Sequence, residues 1–172
     1  MKCALSLQNS FYMSSNLEDE GSTKSHPWGL AVRGVILDQA GRLLLIRRSR
    51  QCGRFVGTWE FPGGKVDSGE TIDVAVRREV QEETSLIVHL KAVAGLTECD
   101  MPNMHLVTIY FYTTLAAGPV ILSEEHDDFI WVLPSETQRL NLNSQAEDFT
   151  KQHSVPNSTP GGCYAQQGAK TA

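Results

Sequence analysis

Apolar and polar residues along the chain follow two different periods. Five runs rich in β-branched and aromatic side chains predict strands at residues 28–37, 42–48, 87–96, 105–115 and 129–133. Between the second and third runs, apolar residues recur at helical spacing, and no Gly or Pro interrupts residues 72–84. That stripe consists of Ile72, Ala75, Val76 and Val80. With a weaker helical pattern at residues 144–152, the chain predicts an α/β (α+β) fold: a mixed sheet covered by helices.

Turn and terminal sequences divide the chain further. Residues 38–41 form a Gly-containing turn between the first two strands, which predicts a hairpin. Residues 1–26 are rich in Ser, Asn and acidic residues and predict a flexible arm. Residues 154–172 are rich in Pro, Gly, Ser and Gln and predict a disordered tail. Residues 27–153 remain for one folded domain of ordinary size.

Three glutamates near the end of the predicted helix stand at positions i, i+3 and i+4. A helix places Glu79, Glu82 and Glu83 on one side. Like charges held this close repel one another unless a cation lies among them. Because hard carboxylate oxygens favour Mg²⁺ or Mn²⁺ over zinc, the spacing predicts a site for one of these cations.

A Pro-Gly-Gly turn precedes this helix within residues 59–65. Paired glycines let the backbone approach a ligand closely, and a carbonyl exposed there could give the cation a further oxygen. Lys65 places a positive charge where a phosphate could meet it. Arg78 can reach back to Glu70, so this ion pair would fix the turn against the helix.

The pattern Gly-x5-Glu-x7-Arg-Glu-aliphatic-x-Glu-Glu runs through residues 64–86 and resembles the box of the Nudix hydrolase family. One defined position departs from the family, because Ser85 stands where the box has glycine. Glycine there caps a helix in the left-handed conformation, so the departure concerns the cap and removes no metal ligand. The resemblance covers roughly residues 28–143 and implies the family's α/β/α sandwich, in which the box forms a loop–helix–loop.

The resemblance implies Mg²⁺-dependent cleavage of a nucleoside diphosphate linked to another group, with Mn²⁺ as a possible substitute. In relatives the general base is either the glutamate matching Glu79 or one on a later loop, and both options stay open here. The loop option is Glu125, in the acidic segment formed by residues 124–128. The catalytic set is Glu79, Glu82, Glu125 and Arg78. The metal-binding set is Gly63 through its carbonyl, Glu79, Glu82, Glu83 and Glu125.

Residues 59–65 are most similar to the MutT-like branch, which hydrolyses nucleoside triphosphates, including oxidised ones, to monophosphate and pyrophosphate. Pro102, sixteen residues beyond Leu86, is instead a mark of the ADP-ribose pyrophosphatase branch. A Nudix-fold nucleotide-binding module without catalysis is a third alternative. The expected substrate contacts are Lys65, Arg47, Phe61 and Asn141. The aromatic wall for a base would come from Trp28, Phe55, Phe61 or Trp131.

Composition limits the choice of partners. The net charge of −5 argues against binding to a nucleic acid polymer, which would call for a basic patch. The four cysteines are scattered without zinc-binding spacing, and the N-terminus lacks the apolar run of a membrane anchor. We therefore expect a cytoplasmic protein, monomeric or homodimeric, with a small nucleotide as substrate and no membrane partner.

Overall fold

The computed structural model describes residues 26–153 and Val155. The rest of the predicted arm and tail lies outside the described residues. The elements are β1 (Trp28–Ile36), β2 (Leu43–Arg48), β3 (Trp59–Glu60), α1 (Ile72–Thr84), β4 (Ile87–Met101), β5 (Met104–Ala117), β6 (His126–Val132) and α2 (Ser144–Gln152), with 3₁₀ helices at Arg50–Cys52 and Pro134–Arg139. None of the helices in the described part of the chain is long and apolar enough to cross a membrane.

The six strands form two three-stranded sheets. In the first, the strand order is β1-β5-β4, with β1 parallel to β5 and β4 antiparallel to it. In the second, the order is β3-β2-β6 and all pairs are antiparallel. The sequence prediction of a mixed sheet with covering helices is confirmed.

The predicted pairing of β1 with β2 as a hairpin is wrong. The turn itself is present, because Asp38 N donates to Arg42 O at 3.0 Å and Leu37 forms a single bridge with Leu43. Beyond that bridge the two strands enter different sheets. β1 pairs with β5 at one edge of the first sheet, whereas β2 lies between β3 and β6 in the second. Both strands bury apolar residues on both faces.

Successive side chains of β1 and β2 point to opposite faces and fill two separate cores. The core on the α1 side contains Val32, Ile36, Leu44, Ala75, Val76, Val80, Leu86 and Val88. The core on the α2 side contains Val35, Leu37, Leu43, Leu45, Phe61, Tyr110, Val132, Ala146 and Phe149. With one helix over each core, the α/β/α arrangement is confirmed.

Helix α1 has the bounds that its sequence predicts. Thr71 stands at its N-cap position, and the Thr71 hydroxyl donates to Asp73 Oδ1 at 2.7 Å. Ser85 ends the helix in the left-handed region, with φ +60°, and its N–H donates to Gln81 O at 2.8 Å. Serine therefore takes the backbone conformation that glycine has in the Nudix box.

The later strands are longer than their sequence pattern predicts. β4 and β5 pair almost continuously from Ile87↔Ala117 to Met101↔Met104, and β6 begins already at His126. The acidic segment is thus a loop only at Glu124 and Glu125. Its remaining residues pair with the end of β2, where Arg47 lies opposite Asp128.

Candidate active site

The glycine turn lies between β1 and the carboxylates of α1. Val32 N donates to Gly64 O, and Gly34 N donates to Pro62 O, both at 2.8 Å. Gly63 has φ +139°, and a Cβ there would collide with the Val32 carbonyl. A Cβ on Gly64 would collide with the Glu79 carboxylate. Only glycines therefore allow this close approach of backbone to carboxylate.

The three box glutamates differ in their surroundings. Glu83 is buried, and its Oε2 accepts from Gly63 N at 2.7 Å. Glu79 is partly buried beside Gly64, whereas the side chain of Glu82 is 60% exposed. Glu79 and Glu83 thus face the glycine turn, whereas the carboxylate of Glu82 lies nearer to solvent.

Arg78 connects these carboxylates to the start of the box. Its Nε and Nη2 each donate to the Glu70 carboxylate at 2.9 Å, which is the predicted ion pair. Its Nη1 also donates to Glu79 at 2.8 Å and to Glu82 at 3.2 Å. These bonds, led by the one to Glu70, raise the pKa of the guanidinium. Arg78 therefore holds the box together as a cation at its centre.

Burial leaves two of these carboxylates incompletely neutralised by the protein. It raises the pKa of Glu83 to about 8, although Arg33 opposes the shift. It also raises the pKa of Glu79, against the opposing effect of Arg78. An additional cation would favour the ionised form of both groups. Together with their hard oxygen donors, this makes the site suitable for a divalent cation such as Mg²⁺.

Behind the box, Glu60 of β3 lies at the centre of a buried polar network. Its carboxylate accepts from Arg48 Nη1 at 2.7 Å and from Asn143 Nδ2 at 2.7 Å. Arg33 Nη2 lies 3.3 Å from Glu60 Oε2, and His126 Nε2 lies 3.2 Å from Glu60 Oε1. Burial opposes ionisation of Glu60, but Arg33, His126 and Arg48 outweigh it and lower the pKa to about 2.

Arg33 joins this network to the glycine turn. Its Nη1 donates to Phe61 O at 2.9 Å and to the carbonyl of Gly63. The Gly63 carbonyl, which the family resemblance offers as a cation ligand, thus has Arg33 as a hydrogen-bond donor in this structure. The sequence analysis did not single out Arg33 or Glu60, and spacing along the chain gives no signal for either.

A central cleft of about 270 Å³ opens above the network. Its lining includes the charged side chains of Arg33, Arg48, Glu60 and Lys65, the backbone at Gly64, and the apolar side chains of Phe55, Met101 and Leu106. A side cavity of about 300 Å³ shares Arg48 with the cleft and is otherwise lined by Gln51, Cys52, Glu124 and Glu125. The predicted residues Lys65 and Glu125 thus lie on two neighbouring cavities.

The other predicted substrate contacts lie away from the central cleft. Phe61 is 1% exposed and packs in the α2-side core. Arg47 pairs with Asp127 at 2.8 Å and with Asp128 at 3.4 Å. Asn141 lines a separate open cavity between the Pro134–Arg139 helix and α2. The structure does not bring these three residues together with Lys65.

Of the four aromatic residues considered for a base, only Phe55 lines the central cleft. Trp28 is 72% exposed and packs against His105, while Trp131 packs against the α1-side core. Phe55 lies in the left-handed region, with φ +53°, and its carbonyl accepts from Thr58 N and Thr58 Oγ1. Its backbone is therefore fixed while its ring stays half exposed beside the cleft.

One further group of potential cation ligands lies among the described residues. Ligand atoms of Glu60, Glu83 and His126 all lie within 4.8 Å of one another, and all three residues are buried. Glu60 already has two guanidinium partners, so this group is better matched to its arginines than to an added cation. Glu79, which lies beside the glycine turn, is less well neutralised than Glu60, because burial raises its pKa.

The family model for the NUDIX domain matches residues 27–153. The chain belongs to this family. The glycine turn, Arg78 and the glutamates of α1 are its Nudix box, and Ser85 is the one departure within it. Nudix enzymes depend on divalent metal and act on small nucleotide substrates, which agrees with a carboxylate-lined cleft of this size.

Named relatives place the chain among hydrolases. It is 29% identical over 119 residues to the nucleoside triphosphatase NudI of Escherichia fergusonii, covering 63% of this chain and 84% of NudI. It is 37% identical over 95 residues to an ADP-ribose pyrophosphatase of Methanocaldococcus jannaschii, covering 54% of each. The MutT protein of Methanosarcina mazei has the same fold, with a TM-score of 0.69 and 30% identity over 74% of this chain and 93% of that one. The chain is a Nudix hydrolase, and it spans about half the length of the jannaschii relative.

Proposed function

We propose that the protein hydrolyses nucleoside triphosphates to the monophosphate and pyrophosphate in the presence of Mg²⁺. One observation carries the proposal. The lining of the central cleft combines apolar side chains with Arg48 and Lys65, and it includes Gly64 of the glycine turn on which Glu79 and Glu83 converge. Its similarity to NudI, a nucleoside triphosphatase, supports a triphosphate substrate.

The cation would be held by the carboxylates of Glu79, Glu82 and Glu83, with the Gly63 carbonyl and Glu125 as further ligands. When bound, Mg²⁺ neutralises the pyrophosphate and lowers the pKa of a coordinated water. Arg78 orients Glu79 and Glu82 through its hydrogen bonds, and the Gly63 N–H orients Glu83. Either Glu79 or Glu125 would act as the general base that accepts the proton of the attacking water. The sequence leaves the choice between these two carboxylates open.

The remaining residues of the cleft would hold the substrate. Phe55 offers a half-exposed ring on which a base can stack, and Met101 and Leu106 add apolar surface to the cleft. Lys65 and Arg48 offer positive charges to the phosphates. Burial in this cleft would exclude water from the base and leave the phosphate chain at the carboxylates.

A second candidate substrate is ADP-ribose or another sugar-linked nucleoside diphosphate. The side cavity next to Arg48 offers space for a second group beyond the phosphates. Pro102 lies in the β4–β5 turn beside Met101 of the cleft, and the jannaschii relative is an ADP-ribose pyrophosphatase. The triphosphate is favoured because the similarity covers 84% of the nucleoside triphosphatase NudI but 54% of the ADP-ribose pyrophosphatase.

A panel of nucleoside triphosphates and sugar-linked diphosphates, assayed with Mg²⁺, tests the proposal. We expect pyrophosphate and monophosphate from triphosphates, and a large loss of rate in Glu82→Gln. Glu147→Gln is the matched control, since Glu147 is also an exposed helical glutamate but lies on α2. Release of orthophosphate, or a preference for ADP-ribose, would replace the triphosphate assignment. Equal background release from the wild type and Glu82→Gln would favour a binding module.

A further inference from the structure

His126 follows Glu125 directly, yet its side chain is completely buried. It points between two carboxylates from other elements. Its Nε2 lies 3.2 Å from Glu60 Oε1 on β3 and 3.9 Å from Glu83 Oε1 on α1. The sequence places it in an acidic segment, where a solvent-exposed side chain would be expected. The structure instead places it between the network of Glu60 and the Nudix box.

The surroundings of the two ring nitrogens define the tautomer of His126. Nε2 lies within hydrogen-bonding distance of the Glu60 carboxylate, which can only accept, so this nitrogen carries the proton of that bond. Glu83 Oε1 lies farther away, at 3.9 Å from the same nitrogen. Nδ1 is buried and has no hydrogen-bond partner among the described residues. The geometry therefore places a proton on Nε2.

The backbone around His126 ties the same two regions together. Ser123 N donates to Glu83 O at 3.1 Å, at the end of α1. Ser49 N donates to Glu125 O at 2.8 Å, and Ser49 Oγ donates to Glu124 O at 2.7 Å. The loop that carries Glu125 is thus attached to the box by its backbone and, through His126, by one buried side chain.

We propose that His126 is a positioning residue for the cation site. Its Nε2–H fixes Glu60 by a hydrogen bond, and its buried ring lies beside the carboxylate of Glu83, which accepts from Gly63 N. Because it directly follows Glu125, the same buried ring anchors the loop that carries Glu125. The inference rests on the proposed function, in which Glu83 and Glu125 bind the cation. Side chains that orient metal ligands in this way commonly change metal affinity by about 10- to 100-fold when they are replaced.

His126→Leu removes the Nε2 donor, whereas His126→Gln keeps an N–H donor at a similar reach. His89→Gln is the control, because His89 is exposed on β4. The readout is the Mg²⁺ concentration that produces half of the rise in melting temperature, which requires no turnover. We expect this midpoint to rise about 10- to 100-fold in His126→Leu. In His126→Gln most of that change should be reversed, and His89→Gln should match the wild type.

Kinetics separate positioning from a general loss of stability. At saturating Mg²⁺, KM for the nucleotide should change much less than the Mg²⁺ midpoint in His126→Leu, because Glu60 keeps Arg33, Arg48 and Asn143 as partners in the central cleft. A wild-type Mg²⁺ midpoint in His126→Leu, or a failure of His126→Gln to restore it, would overturn the proposal. Should His126→Leu not fold, ¹⁵N NMR of the metal-free wild type tests the same geometry, and an Nε2 without a proton would overturn the proposal. Absence of hydrolysis by the wild type would instead count against the proposed function.

Discussion

Glu83 is the box carboxylate that the fold buries most deeply, and its burial predicts a pH-dependent stability. In the metal-free protein, burial raises its pKa from 4.5 to about 8. Between these values the native state binds one more proton than the unfolded state, so the free energy of unfolding falls as pH rises. At about 1.4 kcal/mol per pH unit, the loss amounts to about 5 kcal/mol across this window. Stability from this group is fully present below pH 4.5 and is lost above pH 8.

Glu83→Gln isolates this contribution. The amide cannot ionise, and its oxygen can still accept the bond from Gly63 N. Urea unfolding in a chelating buffer, repeated from pH 5 to pH 9, gives the free energy of unfolding of each variant. The measured quantity is the difference between wild type and Glu83→Gln, because Glu79 also has a raised pKa and titrates in the same direction. Glu82→Gln is the control, since that side chain is 60% exposed and its charge stays in water.

We expect the free energy of unfolding of Glu83→Gln, relative to that of the wild type, to increase as pH rises. The increase should reach several kcal/mol at pH 8. Glu82→Gln should follow the wild-type slope. Adding Mg²⁺ at pH 8 should stabilise the wild type and have little effect on Glu83→Gln, because a cation removes the cost of ionising Glu83. Parallel pH profiles for the wild type and Glu83→Gln would refute the assignment of a buried, incompletely neutralised carboxylate to this position.

Three further substitutions test other parts of the site. Ser85→Gly should raise the free energy of unfolding by about 0.5–1 kcal/mol in urea titrations, because serine is strained at φ +60° and glycine is not. Phe55→Ala should raise KM for nucleotides about tenfold by removing a stacking surface, while Val56→Ala, equally exposed in the same loop, should leave KM unchanged in steady-state assays. Gly64→Ala should abolish the Mg²⁺-induced rise in melting temperature, since its Cβ would displace the Glu79 carboxylate. Three results would contradict these expectations. They are a wild-type Mg²⁺ response in Gly64→Ala, a lower free energy of unfolding in Ser85→Gly, and equal KM values in Phe55→Ala and Val56→Ala.

Local spacing was sufficient to predict the elements that depend on neighbouring residues. Helix α1 follows from its uninterrupted apolar stripe, and the ion pair of Arg78 with Glu70 follows from the box spacing. These features involve residues close together in the sequence, so their pattern can be read directly. Spacing left the cap at Ser85 open, because serine replaces the box glycine there, and the structure shows that Ser85 takes the left-handed conformation.

Sequence could not supply the contacts that depend on distant residues. Glu60 binds His126 from 66 positions away and Asn143 from 83 positions away. A charged residue on a short strand looks solvent-exposed until the strands are arranged in three dimensions. The same limit explains the wrong hairpin: adjacent strands with a turn favour pairing, but β1 and β2 pair with other strands in separate sheets, and each contributes to both cores.

The buried network around Glu60 is better explained as a device that positions neighbouring groups than as a source of folding stability. Desolvation of a buried ion pair often cancels its attraction, so such a pair is weak evidence for added stability. Here the pair connects parts of the site: Arg33 reaches the Gly63 carbonyl, and Arg48 Nε donates to Arg54 O at 3.0 Å. Arg54 is followed by Phe55, the aromatic residue of the central cleft. One carboxylate thus fixes both the turn proposed to face the cation and the loop proposed to face the base, so the distance between these two proposed subsites is set from beneath the cleft.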